Sequence, residues 1–228
     1  LTFAGANTYT GPTVINEGTL KIAHNNALGT GSVTVDNGAS SAKLVLADGI
    51  TVSNDITVES NGGGTVKLDT VGSGTATISG LVTVTDGTSR IGNSGAINYD
   101  GGLTSSSTQL FISDANFNVS PLTLSGELWQ HVSDTFFGVT GHTWSKLVIA
   151  FGGSTTIGVN DALPTGSGIV FGWGNNTGWN TSTLDLNGFN QEVGFIETVT
   201  SGQGLVNNQT ITGSSGTLTV NAATTHAY

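Results

Sequence analysis

The chain has 228 residues, with 35 Gly, 3 Pro, no Cys and no Met, and 9% of its residues are charged, against about 25% in ordinary globular chains. Five basic against fifteen acidic residues leave a net charge of −10, which argues against a nucleic-acid groove or an anionic membrane surface as partner. No apolar run reaches the roughly 18 residues of a membrane helix, and without Cys there are no disulfides, thiolate metal sites or cysteine nucleophile. The hydrophobic fraction of 36% suffices for a buried core and is not that of a disordered chain. Strand signals follow in order. Thr13-Val14-Ile15-Asn16, Thr19-Leu20-Lys21-Ile22, Ser32-Val33-Thr34-Val35 and Lys43-Leu44-Val45-Leu46 come first, then Asp55-Ile56-Thr57-Val58, Thr65-Val66-Lys67-Leu68, Thr75-Ala76-Thr77-Ile78 and Leu81-Val82-Thr83-Val84. Each alternates Thr or Lys with Val, Leu or Ile, the period of a half-buried strand. Turn residues separate them, among them Asn37-Gly38, Asp48-Gly49, Asn61-Gly62, Gly72-Ser73-Gly74 and Asp86-Gly87. No window carries a helical apolar stripe.

Short strands at this spacing fit an antiparallel sandwich or barrel, or a β-solenoid whose coils stack at about 4.8 Å. Internal repetition decides between them. Residues 7–32 align without a gap onto residues 142–167: Asn7-Thr8-Tyr9-Thr10 over His142-Thr143-Trp144-Ser145, and Asn26-Ala27-Leu28-Gly29-Thr30-Gly31-Ser32 over Asp161-Ala162-Leu163-Pro164-Thr165-Gly166-Ser167. Lys43-Leu44-Val45-Leu46 finds a later counterpart in Thr183-Leu184-Asp185-Leu186. The expected fold is all-β, a right-handed parallel β-helix of roughly ten coils with almost no helix. The two copies should follow one strand–turn–strand path, with Leu28 and Leu163 both inward. Val14 with Ile149, and Ile22 with Ile157, should be matched inward positions.

The same residues carry a family resemblance. Leu1-Thr2-Phe3-Ala4-Gly5-Ala6-Asn7-Thr8-Tyr9-Thr10-Gly11, Ile15-Asn16-Glu17-Gly18-Thr19-Leu20 and Asn26-Ala27-Leu28-Gly29-Thr30-Gly31-Ser32 resemble the autotransporter-associated β-strand repeat, also called the passenger-associated transport repeat. Leu184-Asp185-Leu186-Asn187-Gly188 and Gly216-Thr217-Leu218-Thr219-Val220 are similar to its later part. The resemblance implies a parallel β-helical stalk of a bacterial surface or secreted protein, and implies no catalysis. Residues 1–228 are therefore expected to form a single solenoid domain, with repeat copies near 1–46 and 142–221, as a segment of a longer protein. The expected localisation is extracellular or at the cell surface, with neighbouring protein or further copies meeting the solenoid ends.

Catalytic chemistry is sparse. Acidic-polysaccharide lyases of solenoid form need clustered carboxylates and a basic residue, whereas Arg90 is the single arginine and Lys21, Lys43, Lys67 and Lys146 are scattered. Paired carboxylates for hydrolysis sit about 5–9 Å apart, and no acidic cluster marks such a pair. His24, His131, His142 and His226 match no metal-ligand spacing, and no phosphate-binding or nucleophile-elbow motif is complete. His142, aligned with Asn7, reads as a turn residue. No enzyme activity, metal or cofactor is expected. The T-x-T pairs (Thr8/Thr10, Thr75/Thr77, Thr83/Thr85, Thr198/Thr200, Thr210/Thr212 and Thr217/Thr219) fall too irregularly for an ice-binding ladder, and Thr is a good strand residue in its own right.

The aromatics are unevenly placed: Trp129, Trp144, Trp173 and Trp179 all fall late in the chain. They read either as filling for a wider stretch of solenoid or as a platform for sugar rings. Trp173 and Trp179, in a Gly- and Asn-rich stretch, are the candidate glycan-binding residues. The expected function is a structural stalk or filament segment. A carbohydrate-binding adhesin with surface glycans as partner is the alternative, and a polysaccharide-active enzyme a more distant one.

Overall fold

In the computed structural model, residues 1–35, 42–59, 67–85, 88–92, 95–106, 108–112, 116–119, 121–131, 134–150, 152–172, 181–198 and 209–222 are described. They form short strands, no helix among them, and every strand pairing is parallel. Sheet 1 is four-stranded, running from Thr2–Phe3 through Thr19–Ile22 and Lys43–Leu46 to Leu68–Thr70. Sheet 2 has six strands: Thr13–Ile15, Val33–Val35, Ile56–Val58, Val82–Val84, Leu103–Ser105 and Leu122–Leu124. Sheet 3, also six-stranded, begins at Thr88–Ile91 and ends at Phe195–Thr198, and sheet 4 runs through eight strands from Thr51–Val52 to Thr210–Thr212. A two-stranded sheet joins Gln191–Val193 to Leu218–Val220.

The chain visits these sheets in rotation. Leu68–Thr70 of sheet 1 leads to Thr75–Ile78 of sheet 4 and Val82–Val84 of sheet 2, and the next turn passes Thr88–Ile91, Ala96–Tyr99 and Leu103–Ser105. The result is a parallel β-solenoid, and each six-stranded sheet marks about six turns of it. Alternation decides what lies inside. In sheet 2 the outer residues of each three-residue strand, Val33 and Val35, Ile56 and Val58, Val82 and Val84, are buried, while the middle residue faces out. One corner needs glycine: after the sheet 1 or sheet 3 strand the chain turns at Gly49, Gly72, Gly92, Gly152 or Gly172, all at positive φ, a conformation that costs a residue without Cβ little.

The strands expected up to Val84 are present to within a residue or two, except that the segment expected over 65–68 is a strand at Leu68–Thr70. The expected turns at Asn37-Gly38, Asn61-Gly62 and Asp86-Gly87 lie outside the described residues.

The repeat is present in three dimensions, but turned. Thr13–Ile15 lies in sheet 2 and Thr19–Ile22 in sheet 1, whereas their counterparts Lys146–Ala150 and Ser154–Ile157 lie in sheets 3 and 4. The second copy is shifted one face around the solenoid. Its internal pairing is nevertheless the same: Thr19 pairs with Lys43, and Ser154 with Thr183. Asn25 Oδ1 accepts the Thr51 N–H at 2.9 Å, and Asn160 Oδ1 accepts that of Asn190 at 2.8 Å. Leu28 and Leu163 are both buried, as are Ile22 and Ile157.

The pairing of Val14 with Ile149 is a correction: Val14 is 54% exposed and Ile149 is 0%. The corner explains it. In the first copy the positive-φ residue is Gly18; in the second it is Gly152, which aligns with Glu17, so the turn begins one residue earlier. A slip of one residue sends a strand's side chains to the opposite face.

Candidate functional site

Trp173 and Trp179, the candidate glycan-binding residues, lie outside the described residues. The other two tryptophans are buried. Trp144 packs inside the solenoid with Phe137 and His142, ring centroids 5.2 and 5.4 Å away. Trp129 is on the outward side of sheet 3, in an apolar cluster with Val148, Ala150 and Val170. Trp144 fills the interior, as the wider-solenoid reading expects, whereas Trp129 fills space on the outer side of sheet 3.

His142, read from the sequence as a turn residue, is buried against the core. Its Nδ1 accepts the Leu122 N–H at 3.0 Å, joining successive coils, so the neutral ring carries its proton on Nε2. Burial holds its pKa down at about 4, against a weaker opposing hydrogen bond to Val139. Asn7 instead donates its Nδ2 to the Ala27 carbonyl at 2.7 Å. The aligned residues share a place in the repeat and differ in surroundings, because the copies sit on different faces.

Two ion pairs link strands among the described residues. Glu127 receives Trp129 Nε1 at 2.7 Å and Gln109 Nε2 at 3.2 Å, and Lys146 Nζ lies 2.9 Å from its other oxygen. Burial raises the Glu127 pKa, but the bonds from Lys146, Trp129 and Gln109 together outweigh it, and the carboxyl is held below its usual range. Lys43 pairs with Asp69 at 3.2 Å. The Arg90 and His131 side chains lie outside what is described. Among the described residues no group of three or more His, Cys, Asp or Glu converges as a metal site.

Two surface features were not legible in the chain. On sheet 4, Phe136 is 42% exposed beside Asp134, Ser154 and Thr156. Its ring occupies space that only glycine leaves free, since a Cβ on Gly138 or on Gly158 would run into it. On sheet 2, the outward residues form a single file: Thr34 pairs with Thr57, Thr57 with Thr83, Thr83 with Thr104 and Thr104 with Thr123. A bridge from Thr123 to Thr143 extends it. The signal available in sequence was the middle Thr of each three-residue strand; of the T-x-T pairs, only Thr83/Thr85 contributes to this file.

With this geometry in view, comparison with known families is informative at the first turn. Residues 1–22 match the passenger-associated-transport-repeat. That segment holds Thr2–Phe3, Thr13–Ile15 and Thr19–Ile22; the first and last of these pair, Thr2 with Lys21 and Phe3 with Ile22. The matched segment is thus one full turn of the solenoid with its returning strand. No curated protein and no solved structure matches the chain.

Proposed function

We propose that this chain is a structural stalk or filament segment of a bacterial surface or secreted assembly, without enzymatic activity and with neighbouring protein at its ends. The observation that carries the reading is the parallel stack itself, with like residues over like and a continuous aliphatic interior, opening on a turn that matches a passenger repeat. A rod of stacked coils has little to fold around a substrate, and several of its acids make backbone contacts or ion pairs: Asp48 accepts the Thr75 N–H and Asp55 that of Leu81, and Asp69 and Glu127 pair with lysines.

The finer geometry belongs to the proposal. Gly92 N donates to Leu68 O at 2.8 Å, which supports reading sheets 1 and 3 as one face of roughly ten coils. Right-handedness follows the rule for connections between parallel strands. At about 4.8 Å per coil the rod is about 45–50 Å long. Small-angle scattering tests this: a rod of that length supports it, and a near-spherical particle refutes it. Surface labelling of intact producing cells tests the location. Incubation with pectin, alginate and neutral glycans should release no new chain ends.

Phe136 favours a second reading, a carbohydrate-binding adhesin. A flat, half-exposed ring beside hydroxyl and carboxylate groups suits the apolar face of a sugar. On a glycan array, Phe136→Ala, Trp173→Ala and Trp179→Ala should each weaken retention; an unchanged pattern in all three removes this reading.

A further inference from the structure

Phe136 stands on the outer face of sheet 4, 42% exposed, between Asp134 of its own strand and Thr156 of the next coil. Its ring leans along the strand, away from Asp134, so that its Cε1, Cζ and Cε2 end lies where a Cβ on Gly138 or Gly158 would be. These glycines follow the paired inward residues Phe137 and Ile157, so both would point a side chain to the outer face. Two bare positions side by side let the ring lie down on the sheet, with its other face turned to water. Aromatic cover of a glycine also stabilises a sheet, and the test below separates the two roles.

With the ring laid back, a shallow hollow of about 430 Å³ opens between Asp134, Phe136, Ser154 and Thr156, with Thr135 beneath. That volume falls within the range of small-molecule sites, about 300–1,000 Å³. A carboxylate stands at one end, hydroxyls along one side and the ring at the other end. Asp134 is exposed, and among the described residues no cation pairs with it; Lys43 and Lys146 are engaged with Asp69 and Glu127. Asp185 is paired with Thr156 from the following coil and adds a second negative charge, in a chain of net charge −10. An anionic sugar is repelled here, whereas a cation is drawn in. The strand Asp134–Phe137 is paired on both sides, so no backbone edge is open to an extended peptide. A flat ring with hydroxyls beside it matches instead the apolar face and the hydroxyls of a pyranose.

We propose that the hollow beside Phe136 binds an amino-sugar glycan, with the apolar face of a sugar unit on Phe136, an ammonium at Asp134 and hydroxyls towards Ser154 and Thr156. The inference rests on the carbohydrate-binding reading and narrows it to glycans that carry free amino groups.

The test is titration calorimetry with chitosan hexamer and with cellohexaose, which carries a hydroxyl where chitosan carries each ammonium; oligogalacturonate and pentalysine are run beside them. The native chain should bind chitosan hexamer more tightly than cellohexaose, and should not bind oligogalacturonate. Phe136→Leu keeps an apolar cover over the two glycines but removes the flat face, and should weaken binding of both neutral and amino glycan by about three- to tenfold. If Phe136→Leu does not fold, Ser154→Lys, which sets a lysine beside Asp134 in the hollow, is read in its place and should abolish binding of chitosan hexamer. Asp134→Asn should remove the preference for chitosan hexamer over cellohexaose. Glu17→Gln, the same change of charge on an exposed residue of the first coil, should keep it. A preference that survives Asp134→Asn, or that falls equally in Glu17→Gln, overturns the proposal, because the attraction then belongs to the acidic chain as a whole. Pentalysine bound as tightly as chitosan hexamer also overturns it, in favour of a basic peptide. Binding of cellohexaose that depends on Phe136, with no preference for the amino form, overturns this inference and leaves the carbohydrate-binding reading standing. Binding of neither glycan removes both.

Discussion

Lowering the pH from about 7.5 to about 5 should remove about 2 kcal/mol of stability through His142 alone. In the folded chain its pKa is about 4, because the ring is buried between Phe137 and Trp144; the ordinary value is 6.5. The unfolded chain therefore binds a proton that the folded chain refuses throughout the interval between those values, and stability rises with pH there. It is complete above about 6.5, falls as the pH drops, and is lost to the extent of about 3 kcal/mol below about 4. Protonation also takes away the Nδ1 lone pair that accepts the Leu122 N–H, while attraction between the cation and the neighbouring rings offsets part of the penalty. Glu127, held below its usual range, acts in the same direction only at lower pH, as its carboxylate is protonated. Urea unfolding at several pH values reads the effect as a fall in midpoint of up to about 1 M. The control is His142→Asn, which installs the residue found at the aligned position Asn7 and should flatten the profile above about pH 5. A native midpoint that does not change between about pH 7.5 and about 5, or a slope that survives in His142→Asn, would refute the reasoning.

Three further perturbations test the stack. A Cβ on Gly101 would overlap the carbonyl oxygen of Gly80 in the preceding coil, so Gly101→Ala should cost at least about 2 kcal/mol, whereas Gly11→Ala, at a position with open space around it, should cost far less by the same thermal melts. Leu28→Ala and Leu163→Ala should each cost about 2–5 kcal/mol in urea unfolding, since both are buried; a large loss at one and none at the other would show that the copies are not equivalent in packing. Asn54 Nδ2 reaches the carbonyls of Gly31 at 2.7 Å and Gly29 at 3.2 Å, and Gln191 joins Leu163 N to Val159 O at 2.9 Å each. Asn54→Ala and Gln191→Ala should therefore each destabilise by about 1–3 kcal/mol and increase hydrogen exchange in the Ala-Leu loop of the preceding coil.

The sequence alone determined the class of the fold. Alternation in segments such as Thr19–Ile22 and Thr75–Ile78 is a local property of the backbone, because successive side chains point to opposite faces whatever lies next to the strand. The matching Ala-Leu stretches at 27–28 and 162–163, spaced along one chain, made stacking of like on like the natural solution. What lies above what is a different matter. Register between coils depends on how many residues each corner absorbs, and corners carry no period of their own. One residue's difference at Gly18 and Gly152 was enough to turn Val14 outward and Ile149 inward. The second repeat copy was carried onto another face, and with it His142 into the interior while Asn7 stayed at the surface. The threonines that form a file are likewise the middle residues of strands far apart in sequence, and of these only Thr83 belongs to a T-x-T pair. Only the closed path of the solenoid, with its interior filled and its parallel bonds satisfied, brings those residues into one column.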